Sequence, residues 1–101
     1  MPTKTMPAPV ASATELQQLL VDLIALGLVT KQAHWNVVGP QFRSLHLQLD
    51  EMAAEYVLWQ DEVAERATAL GAFPDARPGV LLEQATVKPV PAGALRDRSV
   101  I

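Results

Sequence analysis

Apolar residues recur along the first seventy positions with a helical period, interrupted once. Leu16, Leu20, Leu23, Gly27, Lys31 and His34 follow one another at spacings of three and four, which places them on one stripe of a helix. Ser12-Ala-Thr-Glu15 opens that stripe as a capping box, in which each side chain satisfies the other residue's free backbone N–H. The stripe ends near Val38. Gly39-Pro40 stops it and restarts a second helix with proline in the first turn, where its missing N–H costs nothing. The second helix carries Phe42, Leu45, Leu49, Met52, Tyr56, Val63, Ala67 and Leu70 on one face without an internal Gly or Pro. It is predicted to run to about Leu70, where Gly71 and then Pro74 supply the usual stop signals.

These patterns divide the chain into three parts. Residues 1–11 hold three prolines and a single lysine, Lys4, and read as a flexible amino-terminal tail. Residues 12–74 form the helical hairpin. Residues 75–101 begin with the Pro- and Gly-rich stretch DARPGVLLEQATVKPVPAG, a long crossover with room for one short helix around Val80–Gln84, and end in ALRDRSVI, which reads as a third helix starting at Ala94. Two amphipathic helices cannot bury their apolar faces on each other alone, so the fold class is all-α and calls for further helices. Because no stop signal follows the third helix, the chain is expected to be a cleaved or truncated piece that a complementary carboxy-terminal fragment completes. The alternative is a natural short form that exchanges helical hairpins.

Composition narrows the chemistry. A chain of 101 residues with 50% hydrophobic and 19% charged positions suits one small soluble domain. The longest apolar run, Leu19 to Val29, is broken by Asp22 and is short for a membrane span, and the amino terminus lacks a signal-peptide pattern. The expected location is cytoplasmic, with no membrane partner. Without cysteine there is neither a disulfide framework nor a thiolate site, so any metal must be held by His, Asp and Glu. A formal net charge of −3 and the lone Lys4 in the tail give little electrostatic drive toward DNA.

The two histidines of the chain, His34 and His46, stand on either side of the Gly39-Pro40 break at similar distances, so an antiparallel hairpin sets them level. On the second helix His46, Asp50, Asp61 and Glu65 fall at roughly 0°, 40°, 60° and 100° around the axis, a stripe more than about 100° away from the apolar seam. At about 1.5 Å per residue, however, His46 and Asp61 lie roughly 22 Å apart along the helix, whereas ligand bonds are about 2 Å long. The histidines and the Asp61/Glu65 pair therefore cannot share a metal within one chain. A two-fold axis near Glu55–Tyr56 would bring the acidic end of a second copy to the histidine end of the first, making two equivalent sites. A solvated acidic face is the simpler account of Asp61 and Glu65 taken alone, and a hydrogen-bonded core residue that of a single histidine. With both features together the two accounts stand level. Asp50 fits either a carboxylate that orients an imidazole or plain surface; Trp35 and Trp59 fit ordinary packing.

The string KQAHWNVVGPQFRSLHLQLDE followed by DEVAERATALGAFPD resembles the signature of the Dps family of mini-ferritins, over roughly Leu16 to Pro78. The resemblance implies a ferritin-like four-helix bundle, of which this chain supplies the first two long helices, the crossover and the start of the third. It implies a hollow homododecamer that oxidises Fe(II), preferably with hydrogen peroxide, stores the ferric product, and protects DNA. By position, His34 and His46 match ligands from one subunit, Asp61 and Glu65 the carboxylates of its neighbour, and Asp50 an auxiliary carboxylate. Trp35 matches the aromatic residue beside the site, placed to absorb stray oxidising equivalents. Zinc suits the same ligands as a competitor. Two other readings remain open: a non-catalytic helical interaction module, and a zinc-binding structural protein.

Overall fold

The computed structural model describes residues 12–100, so the proline-containing tail and Lys4 lie outside the described residues. The chain folds into α1 (Ala13–Asn36), β1 (Val37–Val38), α2 (Phe42–Ala69), α3 (Pro78–Gln84), β2 (Leu95–Arg96) and α4 (Asp97–Val100). Both halves of the capping box form: the Glu15 N–H donates to Ser12 Oγ at 3.2 Å and the Ser12 N–H to Glu15 Oε1 at 3.2 Å. At the other end of α1, the β-branched pair Val37-Val38 takes an extended conformation, and the Val37 N–H makes the last helical bond, to the Ala33 carbonyl.

The turn between the long helices differs from the expectation. Pro40 lies in the turn and not in the first helical turn, because α2 begins only at Phe42, whose N–H closes on the Gly39 carbonyl at 3.0 Å. Gly39 sits at φ +122°, a backbone conformation that glycine alone adopts readily. α2 then runs unbroken for 28 residues and ends in a Schellman motif, with the Ala72 N–H on the Ala67 carbonyl, the Gly71 N–H on the Thr68 carbonyl, and Gly71 at φ +85°.

α1 and α2 pack side by side through Leu16, Leu20, Val21, Thr30 and Ala33 on one helix and Leu49, Ala53, Tyr56 and Ala67 on the other. Gln60 reaches across to the Leu23 carbonyl at 3.2 Å, beside Gly27, where a Cβ would stand 3.3 Å from the Gln60 amide nitrogen. The buried set differs from the predicted seam: Phe42, Met52 and Leu70 are exposed, and Ala53, outside that seam, is buried.

The crossover lies over α1, held there by side-chain amides and one carboxylate. Gln17 pairs with the Asp75 backbone in both directions, at 2.7 and 3.0 Å, and Gln18 donates to the Gln84 carbonyl at 3.1 Å. Asp22 accepts from the Thr86 N–H at 2.7 Å and from its hydroxyl at 3.0 Å. The crossover thus brings the chain back to the turn end of the hairpin, so α4 starts from the same end as α2. Its start is corrected by the structure. Ala94 is not helical; Leu95 and Arg96 pair in parallel with Val37 and Val38, and helix begins only at Asp97. Pairing with β1 competes with helix for these two residues, and Leu95 gains burial against Ala33 and Leu49 by it.

The described residues are elongated, 62 by 36 by 19 Å, with a radius of gyration of 17.3 Å, against about 13 Å for a compact domain of this size. By length and composition the whole of α1 is long and apolar enough to cross a membrane, which corrects the expectation drawn from the run Leu19–Val29 alone. α1 packs against both α2 and α3, and Leu19 and Leu28 stay exposed.

Candidate metal centre

The turn brings the two histidines into direct contact. Their rings stack with centroids 3.8 Å apart and planes 15° from parallel. His34 Nδ1 lies 2.5 Å from the His46 carbonyl oxygen, and His46 Nδ1 lies 2.7 Å from the His34 carbonyl oxygen. A carbonyl oxygen only accepts, so each ring donates through Nδ1, and in the neutral imidazole this leaves Nε2 as the acceptor. This reciprocal pairing fixes the tautomer and the ring direction, which is the usual way a ligand histidine is oriented. His34 is buried and His46 half-buried. Phe42, one turn before His46, stacks on it with ring centroids 5.0 Å apart.

Asp50 stands beside this pair. Its Oδ1 accepts from the Lys31 ammonium and lies 3.8 Å from His34 Nε2. The Lys31 hydrogen bond, above all, holds the Asp50 carboxyl below the usual carboxylate range, against a smaller opposing effect of desolvation. Asp50 therefore presents an anion next to the free imidazole nitrogen, and Lys31 balances it.

Asp61 and Glu65 are exposed further along α2. Because α2 is one unbroken helix, His46 is separated from them by roughly 22 and 28 Å along the axis. Among the described residues no three His, Asp or Glu side chains converge closely enough to hold a metal ion. The structure thus brings His34, His46 and Asp50 together and leaves Asp61 and Glu65 apart from them. Trp35, expected beside the site, is 66% exposed. Lys31 and Phe42, which the spacing put on the stripes of α1 and α2, are neighbours of the site. The spacing of Lys31 to His34, and of Phe42 to His46, is the helical i, i+3 and i, i+4 spacing that carries the signal.

A family model of the ferritin-like domain matches residues 13–98, and the chain belongs to that family. Its relatives place it within the family. The DNA protection during starvation protein 1 of Deinococcus radiodurans is 45% identical over 85 residues, 84% of this chain and 41% of the relative. The fine tangled pili major subunit of Haemophilus ducreyi is 43% identical over 81 residues, 80% of this chain and 43% of that protein. The crystal structure of Dps92 from Deinococcus radiodurans superposes with a TM-score of 0.84 at 38% identity, over 87% of this chain and 53% of that one. The chain is a Dps-type ferritin-like protein, an all-α member of the four-helix-bundle class. It spans about two-fifths of the length of these curated relatives.

Proposed function

We propose that this protein oxidises Fe(II) at sites shared between two copies of the chain and sequesters the ferric product, with hydrogen peroxide as the preferred oxidant. The observation that carries the reading is the reciprocal histidine pair, whose two Nδ1–H···O=C bonds leave both Nε2 atoms available beside an ionised Asp50. Imidazole nitrogen and carboxylate oxygen suit Fe(II) and leave positions open for an oxidant. Ferritin-like family membership supports iron as the substrate.

In this reading Asp61 and Glu65 of a two-fold related copy face His34 and His46, and the axis passes near Glu55–Tyr56. The groove between α1 and α2, lined by Ile24, Gly27, Leu28, Ala53, Val57 and Gln60, lies where such a partner packs. Half-exposed Leu28 and Val57 give that contact apolar area. Glu65, Asp61 and His34 would hold the Fe(II) substrate most strongly and His46 more weakly, the carboxylates and imidazoles supplying oxygen and nitrogen donors. Peroxide takes one electron from each of the two Fe(II) ions, its O–O bond breaks, and with two protons the oxygens leave as water. Trp35 intercepts stray oxidising equivalents. Further assembly into a dodecamer, protection of DNA, a weak DNA contact through Lys4, completion of the bundle by a carboxy-terminal segment, and a cytoplasmic location belong to the same proposal. Zinc is a competitor for these ligands.

The test is Fe(II)-dependent consumption of hydrogen peroxide by the purified protein. A His34→Ala/Asp61→Ala variant should lose it, and a fully active double variant refutes the ligand assignment.

A further inference from the structure

The parallel contact between the end of the crossover and the α1–α2 turn lies directly behind the histidine pair. Asp97 is buried, 9% exposed, and its carboxylate is fully engaged. Oδ2 accepts from the Gln41 N–H at 2.7 Å, and Oδ1 accepts from the Arg98 N–H at 2.8 Å. The carboxylate also fills the space that a Cβ on Gly39 would occupy, 2.6 Å from Asp97 Cγ. Glycine at position 39 therefore does two things: it takes φ +122° and it admits Asp97. Two residue pairs further back, Val37 pairs with Leu95 and is 1% exposed. Leu95 then packs on Ala33 and Leu49. Ala33 precedes His34, and Leu49 sits one turn beyond His46.

Neither Nδ1 atom bonds a side chain; each faces the other residue's backbone carbonyl, while the ring stack and Phe42 supply only face contacts. Such reciprocal bonds hold only while the end of α1 and the start of α2 stay in one register. The two helices are joined by Val37 to Gln41, five residues with one glycine and no side-chain cap on α2. Within those five, the bonds from outside the hairpin come from the segment Leu95–Asp97.

We propose that Asp97, with Leu95, is the positioning element of the histidine half-site: it locks the α1–α2 turn so that His34 and His46 keep the Nδ1–H form and present Nε2. This rests on the reading of the histidines as ligands only for its consequence; the effect on the rings exists in the metal-free protein. The crossover thereby couples the start of α4 to metal binding at the facing ends of α1 and α2.

Long-range ¹H–¹⁵N spectra of the metal-free 101-residue chain report the histidine tautomers directly. The wild type should show both rings protonated on Nδ1. Asp97→Ala should convert at least one ring to the Nε2–H form or to an averaged spectrum, while helical circular dichroism is retained. Gly39→Ala, which expels the Asp97 carboxylate from the other side, should give the same change, and the two substitutions combined should add little beyond either. Asp97→Asn, which keeps one acceptor, should stand between. Asp22→Ala, which frees the crossover at Thr86 instead, should leave the ring spectra unchanged. Cobalt(II) titration of the same proteins should show affinity falling toward the tenfold or greater loss, on the order expected when a ligand histidine loses its Nδ1 partner. Unchanged ring tautomers in both Asp97→Ala and Asp97→Asn overturn the proposal. So does a change in Asp22→Ala as large as in Asp97→Ala, which would mean that crossover packing in general is responsible. Failure of the wild type to bind cobalt, with the tautomers behaving as stated, would instead refute the metal reading and leave the clamp standing.

Discussion

If the site is shared, two inactive chains must rescue each other. One variant carries His34→Ala and His46→Ala and keeps its acidic end; the other carries Asp61→Ala and Glu65→Ala and keeps its histidines. In a mixed dimer, one interface site combines the intact histidines of one chain with the intact acids of the other, while the second site has neither. Random pairing of equal amounts makes about half of all dimers mixed, each with one intact site of two, so about one quarter of the wild-type activity should return. An intrachain site returns none, because neither chain holds both halves, and the separation of roughly 22 Å along the unbroken α2 forbids one from forming. The assay is the growth of ferric absorbance after peroxide is added to Fe(II)-loaded protein, for the two variants separately, co-expressed, and against wild type. Light scattering checks that the mixture is oligomeric. An active wild type together with a co-expressed mixture no better than its parents refutes the shared site. Substantial activity in either parent alone refutes the ligand set.

Two further predictions concern the frame around the site. The Thr86 N–H, and then the Gln18 and Thr86 side chains, hold the Asp22 carboxyl below its ordinary value of 3.8 despite some desolvation. A carboxylate with a depressed folded-state pKa stabilises above its unfolded value and loses that contribution as pH falls through the folded one. The stability gap between wild type and Asp22→Asn in urea unfolding should accordingly be widest above pH 3.8 and shrink below it; a gap independent of pH would contradict the assignment. Ser12→Ala should remove half of the α1 capping box, costing about 1 kcal/mol in the same measurement, with faster hydrogen exchange confined to the first turn of α1.

Much of the fold was legible because its signals are local. The capping box at Ser12 and Glu15, the Gly71 terminator and the short helix before Gln84 depend on residues within a few positions of one another, and each forms where its motif stands. What was misread involved partners far away in sequence. Ala94–Arg96 has a helical composition, but the pairing of Leu95 and Arg96 with Val37 and Val38 outweighs local propensity there. Lys31 stands on the α1 stripe with no partner that spacing could name until Asp50, nineteen positions on, is brought beside it. Gln17, Gln18 and Gln60 carry no pattern at all, and they are the side chains that tie the crossover and the second helix to α1.

By itself the sequence determined that the chain is a pair of long helices with a tight turn, that its two histidines are level across that turn, and that Asp61 and Glu65 are out of their reach. Period and rise suffice for these, since a helix has fixed geometry. Tertiary structure alone decided how the histidines are held: that each ring bonds the other's backbone, that Asp50 is ionised beside them, and that Asp97 reaches back across 56 positions to the Gln41 N–H. Those contacts depend on the path of the crossover, which has no periodicity to announce it and is set by where a few polar side chains find backbone partners.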